Sequence, residues 1–277
     1  MICKERVFGK MHPLINRSMV ENILSTGKTS PELPDRLPIL EAYGLAYDKP
    51  AENVIISGCQ ILPSLPHLLA PLARIFTLRG LSYSFLSTEY CCGNYLYRPA
   101  IKARDEEAMA QCRELSRQFV SRNIEQAKNL GAKRIIIFCS PCYPIYRHAF
   151  AEENIVFYPA VINELINPVI LKEKIDYYAG CYRLHKKFSP APMDLKSTND
   201  ILNKIDGLEV NRISAPKCCY HPEGLTHMTA SVMTGTMLHI CTGCYSQALR
   251  HMPRGKGVDV LMLPDFVERV MARGEAV

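Results

Sequence analysis

Ten of the chain's twelve cysteines fall into a single five-cysteine pattern that occurs twice. The first copy is Cys59, the adjacent pair Cys91 and Cys92, then Cys139-Ser140-Pro141-Cys142. The second is Cys181, the pair Cys218 and Cys219, then Cys241-Thr242-Gly243-Cys244. Thiolates are soft ligands, and grouped cysteines in a chain without secretory features signal metal or redox chemistry. Five thiols per copy exceed the four of a closed tetrahedral zinc site. The surplus points to an unusual iron–sulfur cluster, and the duplication to two of them.

The surrounding sequence bounds this reading. A length of 277 residues fits one large domain or two ordinary ones. The 48% hydrophobic and 22% charged fractions are those of a soluble globular protein. A net charge of +6 is modest, and the lysines and arginines are scattered without the basic stripe that nucleic-acid binding needs. The most apolar stretch, Leu62 to Phe76, is interrupted by Pro63, Pro66, Pro71 and Arg74, so no direct membrane span is expected. The N-terminus MICKERVFGKMHPL has no apolar signal-peptide core. The expectation is a cytoplasmic, reducing location without disulfide staples, any membrane association coming through a partner subunit.

The two copies sit in matched halves. Each half opens on an apolar run ending in Gly-Cys, VIISGC from Val54 and IDYYAGC from Ile175. A second strand-like run (SYSFLS from Ser82, EVNRI from Glu209) precedes each cysteine pair, and a third (RIIIF from Arg134, MLHI from Met237) leads into each CxxC. Each half closes with an apolar strand, a proline and an amphipathic helix. Residues 100–131, found only in the first half, form a long helix pattern ended by Gly131. Strands alternating with helices predict an α/β fold of two tandem, pseudo-symmetric Rossmann-like lobes with parallel sheets. The cysteines then fall in loops at strand C-terminal ends, where such folds gather ligands. Gly58 and Gly180 would allow close backbone approach there. The predicted division is 1–50 as an N-terminal arm for partner docking, 51–170 as the first lobe and 171–277 as the second. The arm carries a short helix pattern (RSMVENILS) and a polar, proline-rich loop. Its Gly27-Lys28-Thr29 makes a poor phosphate loop, because Asn22 stands where the motif needs glycine and a helix precedes it.

A lone cysteine, a Cys-Cys pair and a later CxxC resemble the cysteine-rich CCG domain, over roughly residues 53–270. That domain occurs in the disulfide-cleaving subunit of heterodisulfide reductases, in iron–sulfur subunits of glycolate and lactate oxidation enzymes and in some archaeal-type succinate dehydrogenases. The first copy has the literal Cys91-Cys92-Gly93, whereas Tyr220 follows Cys219 in the second. The resemblance implies two noncubane [4Fe-4S] clusters. Cys59, Cys91, Cys92, Cys139 and Cys142 would ligate one; Cys181, Cys218, Cys219, Cys241 and Cys244 would ligate the other. It further implies reduction of a small-molecule disulfide between the clusters, such as the heterodisulfide of methanogen-type thiol coenzymes. Expected partners are a ferredoxin-like subunit with cubane clusters, since this sequence has no CxxCxxCxxxCP run, and a flavoprotein or flavin-dependent dehydrogenase subunit. Two alternatives stay open: zinc in one site, and a non-catalytic electron-transfer or structural subunit of a succinate/fumarate, glycolate or lactate complex.

The thiols released from a disulfide need protons. His221 is the best-placed histidine and His185 the next, although a cluster-adjacent imidazole can equally donate a tuning hydrogen bond. His148 reads as a helix-surface residue and Cys112 as a small core residue. Cys3 also lies outside the pattern. Tyr90, Tyr143, Tyr182, Tyr220 and Tyr245 flank cluster cysteines and read as shields or hydrogen-bond donors. Lys186 and Lys187 form a short charged pair that could attract an anionic substrate.

Overall fold

A computed structural model describes residues 11–181, 193–253, 255 and 257–276. The arm contributes α1 (Arg17–Thr26) and α2 (Arg36–Ala42). The first half then runs β1 (Asn53–Ile56), α3 (Ile61–Ser64), α4 (Leu69–Leu78), β2 (Tyr83–Phe85), α5 (Tyr97–Ala103), α6 (Glu106–Asn129), β3 (Arg134–Ile137), α7 (Cys142–Ala149), β4 (Ile155–Phe157) and α8 (Tyr158–Leu165). The second half runs β5 (Val169–Tyr178), α9 (Lys196–Asn203), β6 (Ile205–Ile213), α10 (Pro222–Ala230), β7 (Thr236–His239), α11 (Thr242–His251), β8 (Asp259–Met262), α12 (Leu263–Arg273) and β9 (Glu275–Ala276).

The halves build two sheets with one topology, β2-β1-β3-β4 and β6-β5-β7-β8. β1 pairs in parallel with β2 and β3, and β5 with β6 and β7. β9 alone runs antiparallel, against the start of β5. The fold is therefore α/β with parallel sheets, as the alternating pattern predicts. All four residues of β1 are buried, as are all four of β7, which is why these strands read as apolar runs without polar alternation. In each sheet the chain steps from the central strand to one side and then crosses to the other. The connections thus reverse between β1 and β3, and again between β5 and β7. Such a switch point opens a crevice beyond the strand C-termini. Cys59 and Cys139 lie just past β1 and β3; Cys181 and Cys241 lie just past β5 and β7.

Two compact units divide the described chain. One holds 11–66 and 82–155; the other holds 67–81, 156–181 and the described residues from 193 onward. The units interleave along the sequence. Helix α4, from the first half, packs on α12 of the second, with Arg74 Nη2 donating to Glu268 Oε2 at 2.7 Å.

Two stretches differ from their sequence reading. The helix pattern over 100–131 breaks into α5 and α6, because Arg104 turns left-handed (φ 57°) and Asp105 caps the new helix through Ala108 N at 2.8 Å. The proline-rich arm loop contains α2, anchored by the buried Arg36 and Leu40. Among the described residues, no helix is long and apolar enough to cross a membrane.

Candidate metal centre

The first five-cysteine set is brought together at the first switch point. Cys59 Sγ lies 3.1 Å from Cys91 Sγ, and Cys92 Sγ lies 3.2 Å from Cys142 Sγ. Hydrogen bonds between Cys91 and Cys92 and between Cys142 and Cys139 complete the series. The sulfurs form one chain in the order Cys59, Cys91, Cys92, Cys142, Cys139. Hydrogen bonds with Cys59 and Cys92, together with burial, hold the Cys91 thiol well above its ordinary range. Those from Cys142 and Cys91 hold Cys92 well below it. The backbone makes this convergence possible at Gly58, whose φ of +100° is left-handed. A Cβ there would stand 2.7 Å from Cys139 Cβ.

A buried scaffold ties the loops of this centre together. The Glu89 carboxylate accepts from Ser57 N (2.9 Å), Ser57 Oγ (2.8 Å), Gly58 N (2.7 Å) and Arg36 Nη2 (2.9 Å). It thereby joins the turn before Cys59 to the segment leading into Cys91. Arg36, from the arm, also donates to Leu86 O through Nε and Nη2, both at 3.1 Å. Gly27 O accepts from Cys91 N at 2.9 Å, and Thr29 Oγ1 accepts from Gln60 beside Cys59 at 3.0 Å. Lys28 is engaged by Leu33 O and Asp35. The Gly-Lys-Thr stretch is thus a helix end packed against the cysteines, and not a phosphate loop. From the other side, Asn123 of α6 clamps the Tyr90 peptide, accepting from Tyr90 N and donating to Tyr90 O, both at 2.7 Å. Gly93 is left-handed (φ +76°), and a Cβ there would press on Ser116 and Phe119 of the same helix.

The second set repeats the sulfur order. Cys181 hydrogen-bonds Cys218, Cys218 hydrogen-bonds Cys219, Cys219 lies 3.5 Å from Cys244, and Cys244 hydrogen-bonds Cys241. The Cys218 hydrogen bond and burial push Cys219 up to about 12. The support differs. Gly224 of α10 lies so close to the Cys218 carbonyl that a Cβ would stand 2.2 Å from its oxygen. Tyr220 replaces the third-position glycine, is 62% exposed and lies over Gly243, with no long helix opposite it among the described residues. Where the first sheet has Ile56 and Ile137, the second has the buried pair Tyr178 and His239, rings 5.8 Å apart.

The remaining predicted residues are scattered. His221 is exposed at the N-cap of α10, its Nδ1 accepting from Glu223 N at 3.3 Å. His185, Tyr182, Lys186, Lys187 and Cys3 lie outside the described residues. His148 is exposed on α7. Cys112 is fully buried, its thiol raised to about 11 by burial. Tyr143 and Tyr245 are buried beside their CxxC cysteines, and Tyr90 sits under Arg122. Glu89, Arg36, Asn123, Tyr178 and His239 escaped the sequence reading. Only the last two carried a signal, as polar residues aligned with isoleucines of the other half.

Residues 54–144 match the family model of a cysteine-rich domain, CCG. No curated protein matches the chain. Among solved structures, the glutamate racemase isoform RacE1 from Bacillus anthracis is similar at 11% identity over 81% of each chain. Its TM-score of 0.35 is too low to carry any argument. The match covers the first five-cysteine set, and a cysteine-rich domain of this kind is consistent with a redox subunit of iron–sulfur type. The donor set fits such a group, since each site brings five cysteine sulfurs into one series. Ligands of one tetrahedral ion, at about 2.3 Å from the metal, lie roughly 3.8 Å apart. Among the described residues no three His, Cys, Asp or Glu side chains form such a cage.

Proposed function

We propose that this chain is the iron–sulfur subunit of a heterodisulfide reductase-like complex, each five-cysteine set holding one noncubane [4Fe-4S] cluster, and that it reduces a small-molecule disulfide. The observation that supports this most directly is the same five-sulfur series, in the same order, at the same switch point of two sheets. Cys59, Cys91, Cys92, Cys139 and Cys142 would hold one cluster; Cys181, Cys218, Cys219, Cys241 and Cys244 the other. When bound, the clusters supply one electron each. The balance is a disulfide plus two electrons and two protons giving two thiols. His221 suits proton delivery because Glu223 N occupies its Nδ1, which leaves the proton of the neutral ring on Nε2. His185 is the second candidate. Electrons would arrive from a ferredoxin-like subunit with cubane clusters, fed by a flavoprotein or flavin-dependent dehydrogenase.

Anaerobic reconstitution tests the cofactor. About eight irons and eight acid-labile sulfides per chain are expected for two four-iron groups. Half that iron, with one zinc, would leave one redox site. Disulfide-dependent oxidation of a reduced dye by the purified complex tests the reaction. Intact clusters without turnover would instead mark a non-catalytic subunit of a succinate/fumarate, glycolate or lactate redox complex.

A further inference from the structure

The two sheets differ at the last buried cross-strand pair before the cysteine loops. In the first, Ile56 at the end of β1 faces Ile137 at the end of β3. In the second, Tyr178 at the end of β5 faces His239 at the end of β7. The positions are equivalent, each pair immediately preceding the Gly-Cys and CxxC loops. Tyr178 and His239 are wholly buried. Among the described residues, the Tyr178 hydroxyl and both ring nitrogens of His239 have no hydrogen-bond partner. A buried polar group left unpaired costs about 1–3 kcal/mol. Isoleucines at the same register have no such requirement, so the polar pair calls for an acceptor that the described residues do not supply. The surroundings of Tyr178 indicate where that acceptor would sit. Burial raises its hydroxyl pKa first, followed by the sulfurs of Cys244, Cys219, Cys181 and Cys218. The hydroxyl is therefore within electrostatic reach of four of the five thiols. His239 lies edge-on to the same phenol ring, at 5.8 Å and 65°.

We infer, on the premise that the second set holds an iron–sulfur group, that Tyr178 and His239 are hydrogen-bond donors to that group's sulfur and set the second centre at a higher potential than the first. Hydrogen bonds to cluster sulfur stabilise the extra negative charge of the reduced state and raise its potential. At this register the isoleucine pair gives the first centre no equivalent, and the buried phenol near its cysteines, Tyr146, is engaged by Asn123 Nδ2 at 2.6 Å. Two chemically similar sites thereby become electronically unequal, which gives electrons a direction of flow between them.

The test is potentiometric titration of the reconstituted full chain, with electron–nuclear double resonance after exchange into deuterated water. Two waves are expected for the wild type. Tyr178→Phe and His239→Leu should each lower the upper wave only. At the wild-type midpoint the reduced-to-oxidised ratio of that centre should fall at least about tenfold, equivalent to about 59 mV for one electron. An exchangeable-proton coupling should disappear in Tyr178→Phe. His239→Gln, which retains an N–H, should recover part of the shift. If His239→Leu does not fold, Tyr178→Phe, which removes one oxygen, decides the matter. An unmoved upper wave in Tyr178→Phe with intact clusters overturns the inference and leaves the proposed function standing. A wild-type chain that takes up no iron overturns both.

Discussion

Glu89 is the single residue on which the first centre most depends. Its carboxylate receives four hydrogen bonds, two of them from the backbone of Ser57 and Gly58, and its counter-charge Arg36 is only 8% exposed. Removing one partner of a buried ion pair leaves the other charge uncompensated, at a cost of about 3–5 kcal/mol. Glu89→Gln is therefore expected to lower the unfolding free energy measured in urea by that order, and to loosen Cys59 and Cys91 first. The check is faster alkylation of those two thiols in the metal-free protein. Replacing both partners, as in Arg36→Met with Glu89→Leu, should cost less than the sum of the singles. Gly224 has the matching role at the second centre. A methyl group there meets the Cys218 carbonyl at 2.2 Å, so Gly224→Ala should destabilise by about 1–3 kcal/mol and impair metal uptake by the second site alone. Metal analysis of the variant in a Cys92→Ser background would show it. Neither residue could be singled out from sequence. A glutamate two places before a cysteine is exposed by default, and its burial depends on an arginine that is distant in the chain.

Among the elements, the inserted helix α6 does for Cys91 and Cys92 what no described element of the second half does for Cys218 and Cys219. Asn123 satisfies both backbone groups of Tyr90 and donates to the Tyr146 hydroxyl at 2.6 Å. Asn123→Ala leaves the buried Tyr146 hydroxyl and two part-buried backbone groups of Tyr90 short of a partner. It is expected to cost about 2–4 kcal/mol, taking roughly 1–3 kcal/mol for each such group with partial relaxation. Thermal unfolding would read the loss, and the iron content of a chain carrying only the first centre should fall in parallel. The strands and the cysteine-bearing loops were legible because apolar runs ending in Gly-Cys or CxxC leave few alternatives. The break at Arg104 was not, since the helical periodicity continues through it and only the Asp105 cap competes. Helix α2 was hidden by prolines, because Arg36, which holds it down, finds its partners in a different segment. The arm's composition suggests a docking element; within its own unit the arm is a wall of the first centre.

The whole chain joins two sites of one plan in two units whose supports differ, and the charge state of those supports makes its stability depend on pH. Asp265, in the first turn of α12, has its carboxyl raised to about 6, chiefly by burial and against the lowering effect of nearby backbone N–H groups. Glu268 raises it further, and Arg74 partly offsets that. Between its unfolded value of 3.8 and about 6, the folded chain keeps a proton that the unfolded chain has lost. Stability therefore falls as pH rises through that window, and the loss is complete above about 6. Metal loading runs the other way, because the buried thiols must release protons to become ligands. The metal-free protein should thus be most stable on the acid side of neutrality, while loading is favoured on the alkaline side. Asp265→Asn separates the two effects. It should raise the thermal midpoint of the metal-free chain at pH 7.5, by a stabilisation on the order of 1 kcal/mol after allowance for solvent screening. The difference from wild type should vanish near pH 4, with metal affinity unchanged at both pH values. Equal midpoints for the two proteins at pH 7.5 would show that Asp265 ionises in the folded chain without penalty.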